Sequence, residues 1–333
     1  MSLPQAPPSP RPRYLVVRVL EACNAGCFMC GFSRSRSEYR YPAEHLARLL
    51  PDARAHGVRF LRFTGGEPLL HGGLERLLRL GAAAGMRCSL ITNGAVLAAH
   101  LPMLVDCGLE HLVVSLDAAD GATHDRLRRT PGLFERAVEG LRGAIARGLT
   151  VRVNTVVGPH NAQQMVSLRD RLLDLGVAQW ELSTLKLEGA LRYPDPDAIL
   201  AIGAQIYTDG GGLRPLGLPW YGADPAQRLD YFERGLPPRP TGPRCHVTSD
   251  VTYLDARRGL LHPCSCLPHR RAPCAPDQPA LSDARLPLDS AGIQASRAWF
   301  FAHGARSCTG CSATAAGYSD AVAAGEALPA WSY

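Results

Sequence analysis

Six short β-branched runs, each followed by an amphipathic stretch, restrict this chain to few folds. The runs are Tyr14–Leu20 (YLVVRVL), 58–64, 88–92, 112–117, 151–157 and 179–186. Between them apolar residues recur at helical steps: Leu74, Leu77 and Leu78; Ala137, Val138, Leu141 and Ile145; Leu168, Leu172, Leu173 and Leu175. Gly57, Gly85, Gly108, Gly148 and Gly176 each fall just past such a stretch, where a glycine closes a helix. Repeated βα units of this kind imply a parallel sheet with helices packed outside. The runs are mostly apolar throughout, as strands buried on both faces are. Right-handed crossovers then favour an α/β fold of partial (β/α)6 TIM-like barrel or strongly curved open-sheet form. Ligands of such sheets bind at the C-terminal ends of the strands.

Four segments follow from this pattern: a proline-rich, disordered tail over 1–13, the barrel over 14–190, a connector over 191–243 with a helix near 198–207, and a Cys-, Pro- and Gly-rich segment over 244–333. The last has too little apolar content for an ample core, which suggests a small domain organised by metal. No run reaches the roughly 18 apolar residues of a membrane span, and the start lacks an apolar signal core, so a cytoplasmic location is expected. Of 36 Lys+Arg only Lys186 is lysine, and the arginines are interspersed with acids without a basic stripe. That argues against a nucleic-acid partner, while a net charge of +6 suits an acidic small molecule.

Eleven cysteines in a chain without export signals suggest metal ligands more than disulfides. Cys23, Cys27 and Cys30 follow directly on the first strand. Three thiolates this close can hold three irons of a 4Fe–4S cube and leave the fourth iron open. A structural zinc would want a fourth Cys or His, and the nearest, His45, lies in the following helix. Asn24, Ala25 and Gly26 suit a tight loop, and Phe28 and Met29 can shield a cluster.

CNAGCFMC resembles the cysteine signature of radical S-adenosylmethionine (SAM) enzymes, and the resemblance extends over residues 14–190. It implies that Cys23, Cys27 and Cys30 bind a 4Fe–4S cluster whose open iron is chelated by SAM. Reductive cleavage of SAM would then yield a 5′-deoxyadenosyl radical that abstracts hydrogen from substrate. Thr64-Gly65-Gly66-Glu67-Pro68 at the second strand's end is similar to the family's GGEP motif, which holds the methionyl amine. Here the glycines allow close backbone approach, and Glu67 can accept from an ammonium group. Thr92 and Asn93 at the third strand's end, and Ser115 and Asp117 at the fourth, look like positions that contact the SAM carboxylate and ribose. Arg152 and Asn154 share one face of the fifth strand and Thr155 the other. Asn154 and Arg128 are further SAM candidates.

Cys245 and Cys264 flank a plausible β-hairpin, with Cys308 and Cys311 later. Four thiolates would complete a second cube, an arrangement that resembles the "twitch" domain, a short relative of the SPASM domain. Cys266 or Cys274 could replace one ligand, and His262, His269 or His303 could support zinc instead. Cys88 and Cys107 read as buried apolar thiols. Lys186, at the end of the sixth strand near Glu181 and Glu188, is a candidate for binding an acidic substrate group or donating a proton.

The resemblance therefore implies an enzyme using SAM and an electron donor of the flavodoxin or ferredoxin type. CNAGCFMCGFSRSR looks most like the cytosylglucuronate decarboxylases of nucleoside-antibiotic biosynthesis, making a carboxy-lyase the first expectation. Sugar or cyclitol dehydrogenation, dehydration or epimerisation, and ribosomal-peptide maturation, are the enzyme rivals. An iron–sulfur electron-transfer protein is the non-enzyme one.

Overall fold

A computed structural model describes residues 12–185, 193–208, 213, 215–216, 232, 245–262, 282–283, 294–295, 297–299 and 301–302. The six expected strands are β1 (Tyr14–Leu20), β2 (Phe60–Gly65), β3 (Arg87–Thr92), β4 (His111–Ser115), β5 (Thr150–Val157) and β6 (Gln179–Thr184). They pair in parallel in chain order. The connecting helices are α1 (Ala43–Ala55), α2 (Leu74–Ala83), α3 (Leu97–Asp106), α4 (Gly121–Arg128), α5 (Leu133–Ala146) and α6 (Met165–Asp174), with α7 (Pro196–Thr208) in the connector. The five punctuating glycines all have positive φ, from 68° to 98°, as helix-closing glycines do.

Strand alternation sorts side chains between two layers. On β1, Leu15, Val17 and Val19 join Leu46 and Leu50 of α1 in one apolar cluster. Each such fully buried side chain contributes about 1.5–3 kcal/mol. Trp180 of β6 is wholly buried, and its indole N–H donates to Thr155 Oγ1 at 2.9 Å. The Thr155 hydroxyl in turn donates to the carbonyl of Leu116. The opposite face carries Tyr14, stacked on Phe60 at 4.7 Å, and a row of buried polar groups described below.

The sheet continues beyond the six expected strands. A two-residue β7 (Pro215–Leu216) pairs with β6, and β8 (Val251–Asp255) pairs in parallel with β1. β9 (Leu260–His262) returns antiparallel to β8, and β10 (Ser282–Asp283) adds to β9. The order is β10-β9-β8-β1-β2-β3-β4-β5-β6-β7. The expected hairpin after Cys245 is thus present, but it is built onto the edge of the barrel sheet. Buried Val251, Tyr253 and Leu254 supply the apolar surface for that docking. Among the described residues no helix is long and apolar enough to cross a membrane.

Candidate functional site

The three cysteines of the first cluster lie on the loop leaving the C-terminal end of β1. Cys27 is buried, and Cys23 and Cys30 are half-buried. Ala25, Cys27 and Leu133 form a small apolar nucleus on which Cys23, Met29, Cys30 and Ala95 pack. The loop hangs on the end of α4: Gly26 N–H donates to Arg128 O at 3.0 Å, and Phe28 N–H to Leu127 O at 3.3 Å. A Cβ at Gly26 would stand 3.2 Å from Arg129 Cβ, which explains the small residue. Arg129 itself adopts the left-handed region (φ 48°) to close α4. Ser33 Oγ donates to the carbonyls of Cys27 and Cys30 and closes the loop's far side.

Burial pushes the Cys23 and Cys27 thiols up, and their neighbouring sulfurs add to this, while Arg128 opposes it at Cys27. Among the described residues no three His, Cys, Asp or Glu side chains converge on a metal position. Cationic irons would oppose the upward shift and deprotonate the thiols. Three soft donors on one short, anchored loop therefore fit an iron–sulfur cluster.

Gly65 and Gly66 are required by the chain itself. A Cβ at Gly65 would lie 2.3 Å from Leu20 O, and one at Gly66 2.1 Å from Ala22 O. Their absence lets Gly66 N–H donate to Leu20 O and Glu67 N–H to Ala22 O, so the cysteine loop starts flush against the end of β2. Pro68 is buried at the head of a short 3-10 turn.

The Glu67 carboxylate is engaged by the chain itself. Fully buried, it takes the N–H of Leu69 (3.0 Å), the hydroxyl of Thr92 (2.8 Å) and the N–H of Asn93 (2.7 Å). Burial raises its pKa and these donors oppose the shift. Thr92 Oγ1 also accepts from Gly94 N–H. Through these bonds Glu67 and Thr92 lock the ends of β2 and β3 together. What they orient is Asn93, whose amide donates to Asn24 Oδ1 at 2.8 Å and reaches Cys23 Sγ at 3.6 Å.

Asp117 and Arg128 also face each other. Asp117 Oδ2 accepts from Arg128 Nε at 2.6 Å and Oδ1 from Val156 N–H at 2.9 Å. Held in this way, the Asp117 carboxylate has no exposed surface. Ser115, the last residue of β4, is in register with Asn154 in the middle of β5, and both remain half-buried. The backbone at Gly65–Gly66, Asn93 and Ser115 lie at the C-terminal ends of the strands, where such sheets bind ligands.

Below them runs a polar chain that sequence reasoning missed. Arg62 donates to Ser89, which bonds His111 Nδ1 at 3.0 Å; His111 Nε2 meets Gln179 Oε1 at 3.2 Å. Arg152 donates to Gln179 and to Glu181, and Asn154 donates to Glu181. Burial, then the charges of Arg62 and Arg152, push His111 down to about 2, so it is neutral. No local signal marks it: the residues come into line only through the pairing registers of adjacent strands.

Of the second cysteine group only Cys245 is described. It is buried and its N–H donates to Phe301 O. Cys264, Cys266, Cys308 and Cys311, and also Lys186, lie outside the described residues. Cys88 is buried with its thiol pushed up to about 12, as an apolar core thiol should be.

The sequence matches the radical SAM superfamily over residues 17–172, the stretch that builds β1 to α6 and carries the cysteine loop. The chain contains a radical SAM domain. It is 29% identical over 177 residues to the AdoMet-dependent heme synthase of Methanosarcina barkeri, covering 51% of this chain and 50% of that protein. Over 162 residues it is 39% identical to the GTP 3′,8-cyclase of Mycobacterium marinum, covering 46% and 44%. The chain spans about half the length of the curated relatives it matches. Among solved structures, Streptococcus suis SuiB bound to S-adenosylmethionine superposes with a TM-score of 0.66 at 16% identity, over 86% of this chain and 68% of that one. The AdoMet-bound anSMEcpe gives 0.64 at 16% identity, over 89% and 90%. These likenesses establish the radical SAM fold.

Proposed function

We propose that the chain is a radical SAM enzyme that removes the carboxylate of a small acidic sugar nucleoside, cytosylglucuronic acid being the first candidate. The observation that carries the radical SAM part is the loop of Cys23, Cys27 and Cys30, seated at the strand ends beside Gly65–Gly66 and Asn93. When bound, the 4Fe–4S cluster and SAM supply reductive cleavage to a 5′-deoxyadenosyl radical that abstracts substrate hydrogen. The protein's part is to hold the loop through α4, to orient Asn93 through Glu67, and to surround the reacting groups with buried side chains. The cysteines hold the cluster; Asn93, Ser115, Asn154 and the Gly65–Gly66 backbone hold SAM.

The substrate class rests on other grounds. The CNAGCFMCGFSRSR stretch resembles that of the decarboxylases, net charge is +6, and the GTP 3′,8-cyclases among its relatives act, by name, on a nucleotide. A flavodoxin- or ferredoxin-type protein would deliver the electron, Lys186 would meet the acidic group, and Cys245 with Cys264, Cys308 and Cys311 (or Cys266) would hold a second cluster. Anaerobic reconstitution followed by dithionite and SAM should yield 5′-deoxyadenosine; none would overturn the enzyme reading. Adding cytosylglucuronic acid should release carbon dioxide, and turnover of a different sugar nucleotide only would replace the substrate while leaving the chemistry.

A further inference from the structure

Arg128 has a place in the structure that its expected role as a SAM contact does not explain. It is the last residue of α4 and is 8% exposed. Its guanidinium holds two partners at once, Nε on Asp117 Oδ2 at 2.6 Å and a terminal nitrogen on Cys27 Sγ at 3.8 Å. Its carbonyl accepts from Gly26 N–H at 3.0 Å, so backbone and side chain of one residue grip both sides of the residue pair Gly26–Cys27. Asp117 is itself fixed: Val156 N–H donates to its second oxygen, its own N–H donates to His124 Nδ1, and Asn161 donates to its carbonyl. The cation is thus held in a narrow orientation before any ligand arrives.

We propose that Arg128, oriented by Asp117, is a positioning residue for the iron–sulfur cluster, giving the Cys27 sulfur a fixed cationic hydrogen-bond donor and thereby setting the cluster's reduction potential. The inference rests on the reading that Cys27 is a cluster ligand. Hydrogen bonds to ligating sulfurs and nearby charge are the protein's levers on such potentials, because reduction adds one negative charge that a donor stabilises. Arginine suits this task where lysine would not, since its planar fork reaches a carboxylate and a sulfur together. The same pair ties the end of β4 to the cysteine loop, so loop position and donor position are set by one element.

The test is an EPR-monitored redox titration of the anaerobically reconstituted full chain, the first cluster's signal being assigned by its loss in Cys27→Ala and its change on adding SAM. Arg128→Gln should move the midpoint to more negative potential, lowering the reduced-to-oxidised ratio at a fixed potential at least tenfold, which for one electron is about 59 mV. Arg128→Lys keeps the charge and should restore part of the shift. Because Arg128→Gln strands a buried carboxylate, the double variant Asp117→Asn/Arg128→Gln is included; it should shift the same way by less, the cation lying nearer the sulfur than the anion. An unchanged midpoint in a folded, cluster-loaded Arg128→Gln or double variant overturns the role of Arg128 and leaves the cluster reading standing. A Cys27-independent signal in the unsubstituted chain overturns that reading, and the inference with it.

Discussion

Replacing Gly66 with alanine puts the geometry of the site to a quantitative test. The new Cβ would stand 2.1 Å from Ala22 O, 2.5 Å from Glu21 O and 2.6 Å from Ala22 C, all backbone atoms with no side-chain freedom to yield. Such contacts are essentially never closer than 3.0 Å, so the ends of β1 and β2 must part by roughly 0.9 Å. That stretches the Gly66–Leu20 and Glu67–Ala22 hydrogen bonds, now 3.0 and 2.9 Å, past useful length. Two backbone hydrogen bonds at about 0.5–1.5 kcal/mol each, with about 1–3 kcal/mol of overpacking, give an expected loss near 3 kcal/mol. In thermal unfolding this corresponds to a Tm lower by roughly 6–12 °C. Gly72→Ala is the control, because its Cβ would meet nothing within 4 Å, and its Tm should stay within a degree or two of the parent. Differential scanning calorimetry of the three proteins side by side decides it. Equal Tm values for Gly66→Ala and Gly72→Ala would refute the claim that β1 and β2 are held at glycine distance.

Three further outcomes are expected. An unfolded imidazole takes up its proton near pH 6.5, whereas folded His111 resists to about 2, so its contribution is full above pH 6.5 and is lost as pH falls toward 2. In urea unfolding at pH 7.5 and 5, His111→Gln should flatten the pH dependence by up to about 1.4 kcal/mol per pH unit; an unaltered slope would count against a neutral buried His111. Cys27→Ala should abolish the SAM-responsive cluster signal and 5′-deoxyadenosine formation, whereas Cys88→Ala, costing about 1 kcal/mol of packing, should retain both; equal iron loss in the two would break the distinction between ligand and core thiol. Lys186→Ala should raise KM for an acidic substrate about tenfold, one lost charge-assisted contact, while uncoupled SAM cleavage continues at its former rate.

Much of the core could be read from local signals. The six strands begin and end within two residues of their expected bounds, and the glycine after each helix stands at positive φ, because both features depend on residues close in sequence. Arg152 and Asn154 do share a face and Thr155 the other, as strand alternation requires. What escaped depends on partners far away. Nothing near Val251–Asp255 announces that it pairs with β1, and only the aligned registers of β2 to β6 turn scattered Arg62, Ser89, His111 and Gln179 into one hydrogen-bonded chain. Glu67 and Asp117 were legible as site acids, but a side chain's direction follows from neighbours such as Thr92, Val156 and Arg128, and motif spacing carries no such information.

The pairing of β8 with β1 has a cost during synthesis. β1 has β2 on one side and β8 on the other, and the latter lies some 237 residues downstream. At ribosomal speeds of about 5–20 residues per second, the outer edge of β1 stays bare for something like 12–50 s after it emerges. A strand reading YLVVRVL with a vacant edge is an invitation to intermolecular pairing over that interval. The nascent chain of this protein should therefore lean on holding chaperones until the hairpin at 251–262 arrives to cover it.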